Sequence, residues 1–161
     1  ALRVALLAYP QASAAERLWS LTRLAETEER RGDFAAAEAA FRDALALDRP
    51  DVYVLAAYAD FLLDRGRPAA VLALLQDRGR ADVLLLRLAL AARATGDPRA
   101  ADFAQELQAR FDAARRRGDT SHRKEESRFA LAVQAGPVMR YLDDAAHALH
   151  APTVYRDAVL R

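Results

Sequence analysis

Four glycines divide this chain into segments of similar length. Gly32, Gly66, Gly96 and Gly136 recur at intervals of roughly 30–40 residues, within the range of helical-repeat periods, and each lies between two stretches whose apolar residues recur at helical spacing. Prolines fall at the same punctuation points: Pro68, Pro98 and Pro137 follow the glycines closely, while Pro10, Pro50 and Pro152 close the paired stretches. Glycine accepts the left-handed conformation that ends a helix, and proline is tolerated in the first helical turn but not in the interior. A chain punctuated in this way is expected to fold as a series of helix pairs.

Composition supports helix throughout. Hydrophobic residues make up 53% of the 161 residues and aromatics only 7%, so alanine and leucine carry the apolar content. Neither loses much on entering a helix. Isoleucine is absent, which leaves little for strands. The fold class read from the sequence is all-α.

Taken in order, Ala5-Leu6 followed by Pro10 looks like the end of a half unit over residues 1–12. Ser13-Ala-Ala-Glu16 has capping-box spacing and opens a helix running to about Arg30, with Leu18, Leu21, Leu24 and Ala25 on one face. Glu26, Glu28 and Glu29 form an acidic patch along it. After the Gly32 turn Asp33 caps a second helix to about Leu47, burying Ala37, Ala40, Phe41, Ala44 and Leu47. The next unit pairs a helix over about 51–64 (Leu55, Tyr58, Ala59 and Leu62 inward) with a short one over about 68–76. The third pairs Leu85, Leu88, Ala89 and Ala92 with a long helix over about 98–117, whose stripe is Ala101, Ala104, Leu107 (or Gln108) and Phe111. The fourth would run from about Ser121 to Gln134, turn at Gly136-Pro137, and return over Val138 to His150 with Tyr141, Ala145 and Ala148 inward. The expected organisation is one domain over 1–161, with units at about 13–50, 51–80, 81–118 and 119–152 and a terminal helix over 153–161.

The first full unit carries a resemblance. Leu21-x2-Leu24-Ala25, Gly32, Ala37-x3-Phe41, Ala44 and Pro50 reproduce the spacing of a tetratricopeptide (TPR) repeat, whose period is about 34 residues and matches the step from Gly32 to Gly66. The chain resembles the bacterial TPR family over nearly its whole length. It departs from the family pattern in the first helix, where Leu21, Ala25 and Glu28 replace a large aromatic, a glycine and a tyrosine. The resemblance implies a right-handed α-solenoid of antiparallel helix hairpins, in which the first helices line a concave groove that binds peptides or proteins. By that analogy the groove presents Trp19, Thr22, Arg23 and Glu26 from the first unit and Tyr53, Ala56, Ala57 and Asp60 from the second. It adds Leu86, Arg87 and Leu90 from the third, and Arg123, Glu126 and Ser127 from the fourth. The carboxylate clamp of co-chaperone TPR proteins, built from lysines and asparagines, is not available: the chain has no asparagine and only Lys124.

The catalytic inventory is empty. No P-loop, GxGxxG, HExxH or GxSxG occurs, and the chain has no cysteine to serve as nucleophile, thiolate ligand or disulfide partner. Asp143, His147 and His150 share a helix face at i, i+4 and i+7, yet a structural zinc normally takes four ligands, so a solvated face is the reading and no metal or cofactor is expected. Arg115 to Lys124 holds five basic residues, but 24 basic and 23 acidic residues leave a net charge of +1, which argues against a dedicated nucleic-acid binder. No apolar run approaches the ~18 residues needed to span a bilayer. The N-terminal apolar core, Val4 to Tyr9, is shorter than the roughly 7–15 residues of a signal peptide, so the chain reads as cut from a longer protein or as a mature form. Arginine in place of lysine, with abundant alanine, fits a GC-rich bacterial coding bias. The lack of cysteine leaves cytoplasm and periplasm both open.

The functional expectation is a non-enzymatic interaction scaffold that holds a protein or peptide partner in the groove. The alternatives are a regulatory or oligomerisation domain of a larger enzyme or assembly, or self-association through open ends.

Overall fold

The computed structural model describes residues 13–47, 51–120 and 123–134. All the regular structure among them is helical. Helices α1 (Ala14–Arg30), α2 (Phe34–Leu45), α3 (Val52–Asp64), α4 (Pro68–Leu74), α5 (Asp82–Thr95), α6 (Ala100–Arg116) and α7 (Arg123–Phe129) follow in order, and α7 runs into a π-helical turn over Ala130–Gln134. No helix among the described residues is long and apolar enough to cross a membrane. The half unit before Ser13, Pro50, the Gly136-Pro137 turn and everything expected beyond it lie outside the described residues.

The chain divides into two compact units, Ala1–Ala100 and Ala101–Arg161. In the first, α3 is the hub. It packs against α1, α2, α4 and α5, and α1 also packs on α2 and α4 on α5. Seven of its thirteen residues are buried, which a helix contacted from several sides requires.

Local chemistry explains the boundaries. Ser13 and Glu16 form the full capping box at the start of α1: the serine hydroxyl accepts from the Glu16 amide while the Glu16 carboxylate accepts from the Ser13 amide at 2.8 Å. Asp33 and Asp51 cap α2 and α3 through side-chain oxygens that accept from Ala36 and Val54. Pro68 opens α4, where its missing N–H costs nothing. The turn after α1 is closed by Gly32 at φ +81, and the glycines after α3 and α5 are also left-handed.

The burial pattern repeats from unit to unit. In α3 the buried residues are Val54, Leu55, Ala56, Tyr58, Ala59, Phe61 and Leu62. Aligning Gly66 with Gly96 carries them onto Leu84, Leu85, Leu86, Leu88, Ala89, Ala91 and Ala92 of α5, all of them buried. Aligning Gly32 with Gly66 carries three of the four buried residues of α1, Thr22, Leu24 and Ala25, onto the buried Ala56, Tyr58 and Ala59, while the fourth, Leu18, falls on the exposed Val52. Between α2 and α3 the core is aromatic. Phe41 is fully enclosed, with Tyr58 at 5.2 Å and Phe61 at 5.6 Å between ring centroids.

In the second unit, α6 buries Leu107, Phe111 and Ala114, and Phe111 meets Phe129 of α7 edge-on at 5.8 Å. One expectation changes here. Ala101 is exposed and Ala104 only half-buried, so the stripe begins a turn later, at Leu107; the polar Gln108 instead donates to Asp112 at 2.8 Å. Of the helix expected from about Ser121 to Gln134, the described residues are α-helical over Arg123–Phe129 and continue as the π-helical turn over Ala130–Gln134.

Candidate partner-binding face

Helices α1, α3 and α5 lie side by side, α1 on α3 and α3 on α5. With the turn glycines aligned, the expected groove residues fall into four equivalent columns across these helices. Trp19 and Tyr53 form one, continued on α5 by Val83, which is not among the expected groove residues; Thr22, Ala56 and Leu86 form a second. Arg23, Ala57 and Arg87 form the third, and Glu26, Asp60 and Leu90 the fourth. Helical geometry puts all four on one side of each helix, because they stand at i, i+3, i+4 and i+7.

The columns differ in depth. Trp19 is 64% exposed and Tyr53 49%, with Val83 half-buried. The second column is buried in all three helices: Thr22, Ala56 and Leu86 are shut away from solvent and offer nothing to a partner. Leu86, fully enclosed, is therefore a core residue and not a groove residue. Thr22 satisfies its buried hydroxyl by donating to the Leu18 carbonyl at 2.7 Å. Leu90 is half-buried.

Two polar links cross the face. On α1 the Arg23 guanidinium stands over the rings of Trp19 (6.0 Å to the centroid) and Tyr53 (5.4 Å), and its Nη1 donates to Glu26 Oε2 at 2.5 Å. The Tyr53 hydroxyl, from α3, donates to the other oxygen of the same carboxylate at 2.5 Å. That bond to Glu26, helped by partial burial, raises the Tyr53 pKa above that of a free phenol. Trp19, Arg23, Glu26 and Tyr53 thus form one cluster.

The second link joins α3 to α5. Arg87 Nη2 donates to Asp60 Oδ2 at 2.5 Å, and its Nη1 donates to the Val83 carbonyl at 2.8 Å. The Arg87 side chain is only 8% exposed and that of Asp60 30%. Arg87 is consequently an inter-helix tie rather than a groove contact, because a guanidinium that deep must stay paired.

Glu29 lies one turn beyond Glu26. Burial raises its pKa, and the charge of Asp64 adds to the shift. Among the described residues no cluster of three His, Asp or Glu side chains is placed to hold a metal ion, and Asp143, His147 and His150 lie outside those residues.

Arg123, Glu126 and Ser127 belong to the second unit. Arg123 is exposed, Glu126 pairs with Arg115 of α6, and the Ser127 hydroxyl donates to the Arg123 carbonyl at 2.8 Å.

Sequence reasoning passed over Val52, 44% exposed beside Tyr53, and Phe34, 40% exposed with Arg65 stacked on its ring at 3.9 Å. Both sit immediately after a capping aspartate, where the first helical residue falls outside the buried stripe. That offset from the cap is the signal that could have found them. Comparison with protein-family models, with curated proteins and with solved structures gave no match.

Proposed function

We propose that this chain is a non-enzymatic binding module of TPR-like helix hairpins, stacked as a right-handed solenoid, that docks a protein or peptide partner on the face of α1 and α3. What supports the reading is the cluster at its outer edge. Two exposed aromatic rings, Trp19 and Tyr53, bracket one guanidinium whose orientation Glu26 already holds. Aromatic residues and arginine are the types that carry most binding energy at interfaces. The repeat of buried positions from α3 to α5, shared by α1 at Thr22, Leu24 and Ala25, supports the hairpin stacking.

The test is site-specific photo-crosslinking in cells of the source organism, with the crosslinker at Trp19, at Tyr53 and at the exposed Asp43 on α2. One discrete adduct shared by positions 19 and 53 and absent from 43 is the expected result. Truncation of Trp19 to alanine should weaken that partner about tenfold or more, the loss usual at an interface anchor. Equal labelling at all three positions would refute the docking face.

A further inference from the structure

We propose that the partner presents a carboxylate beside a large apolar side chain, and that Glu26 is an internal competitor for the same donors. The inference rests on reading the α1/α3 face as the docking site. It comes from which half of the Arg23–Glu26 pair faces outward: the arginine side chain is 41% exposed and the glutamate 16%. An approaching molecule meets the guanidinium and the two rings before it meets the carboxylate.

The donor arrangement fits the same chemistry. Arg23 commits Nη1 to Glu26, and among the described residues its Nε and Nη2 make no hydrogen bond. A guanidinium offers its donors as a planar fork matched to a carboxylate. Trp19, one turn before Arg23, and Val52, next to Tyr53, supply apolar surface at 64% and 44% exposure. An acidic residue next to a leucine or an aromatic would place its carboxylate on Arg23 and its neighbour on Trp19.

Glu26 shows in place what these donors bind, since one carboxylate takes both the Arg23 guanidinium and the Tyr53 hydroxyl. While it is charged it holds those donors and repels a second carboxylate. Removing that charge should therefore strengthen an acidic partner, whereas a basic partner would be weakened.

Fluorescence anisotropy tests this with three labelled peptides: one of glutamate, tryptophan and leucine, its glutamine counterpart and its arginine counterpart. The wild-type chain should prefer the acidic peptide over the glutamine one by about tenfold or more, as for a charge-assisted hydrogen bond. Arg23→Gln should erase that preference, Arg23→Lys should restore part of it, and Glu26→Gln should increase affinity for the acidic peptide several-fold. Arg23 and Glu26 form a partly exposed i,i+3 pair, so these variants should keep the fold, which circular dichroism checks.

Preference for the arginine peptide, lost in Glu26→Gln, would overturn the carboxylate proposal and leave the docking face standing. If none of the peptides binds, or Trp19→Ala leaves binding unchanged, the carboxylate proposal fails as well. The crosslinking result at positions 19 and 53 then decides separately whether the docking face survives.

Discussion

Asp60→Ala removes the acceptor of a guanidinium that the fold keeps from water. Arg87 is 6% exposed; its Nη2 donates to the Asp60 carboxylate at 2.5 Å, while Nη1 keeps the Val83 carbonyl. Breaking a fully buried pair costs about 3–5 kcal/mol. Here Asp60 is 30% exposed, so water can enter at its position, and the retained carbonyl bond softens the loss; about 2–3 kcal/mol is expected. The reciprocal change is cheaper. Arg87→Met keeps most of the apolar stem and leaves a carboxylate that can rehydrate, at about 1 kcal/mol. Urea unfolding followed by circular dichroism reads the difference. With a slope of about 2 kcal/mol per molar, Asp60→Ala should lower the midpoint by about 1 M or more. Adding Arg87→Met to Asp60→Ala should recover much of that loss. The reasoning is refuted if Arg87→Met costs more than Asp60→Ala, or if the double variant is no more stable than Asp60→Ala alone.

Phe41→Ala, which empties the centre of the α2–α3 aromatic cluster, should cost about 3–5 kcal/mol in the same assay. Gly32→Ala should cost about 1 kcal/mol: its φ of +81 strains any L side chain, but a Cβ there meets nothing within 4 Å, so only the backbone conformation is penalised. Gly79→Ala should be close to neutral by comparison, since its Cβ would touch Leu85 and Leu88 at an ordinary 3.5 Å and φ is not left-handed. Glu29→Gln should raise the melting temperature at pH 7. A carboxyl whose folded pKa is raised destabilises the fold once ionised, so the gain should fade as pH falls through the folded value and vanish below the ordinary glutamate value of 4.5; a gain independent of pH would contradict this.

The sequence signals that read correctly are those whose physics is local. The Ser13–Glu16 capping box, the Asp33 cap, the left-handed Gly32 and the Phe41 stripe each depend on residues within a turn or two, and each is present. What did not read correctly depends on how far a helix is rotated against its neighbours. Leu86 and Leu90 are one turn apart and chemically identical, yet one is enclosed and the other half-buried. Arg87 could be assigned to the groove only because nothing in a one-dimensional pattern shows Asp60 reaching it from another helix. Ala101 failed for a related reason, since small residues fit either the core or the surface and carry little weight in a stripe.

That rotational ambiguity suggests what the two polar links accomplish. Helix α5 reads Leu84-Leu85-Leu86-Arg87-Leu88, so apolar contact alone defines its seating on α3 poorly: a slip or rotation exchanges one leucine for another at little cost. The same movement would strand Arg87 away from Asp60 in a low-dielectric setting, which is expensive. Glu26 and Tyr53 play the corresponding part between α1 and α3, and the two acceptors, Glu26 and Asp60, occupy equivalent positions in successive units. The hypothesis is that these links select one register where the leucines would accept several. The Asp60→Ala, Arg87→Met double variant separates register from stability. If the pair specifies register, the variant should regain much of its urea midpoint yet show doubled or broadened amide resonances for α3 and α5. A single sharp set of resonances would mean that the leucine side chains suffice and that the ion pair does no selecting.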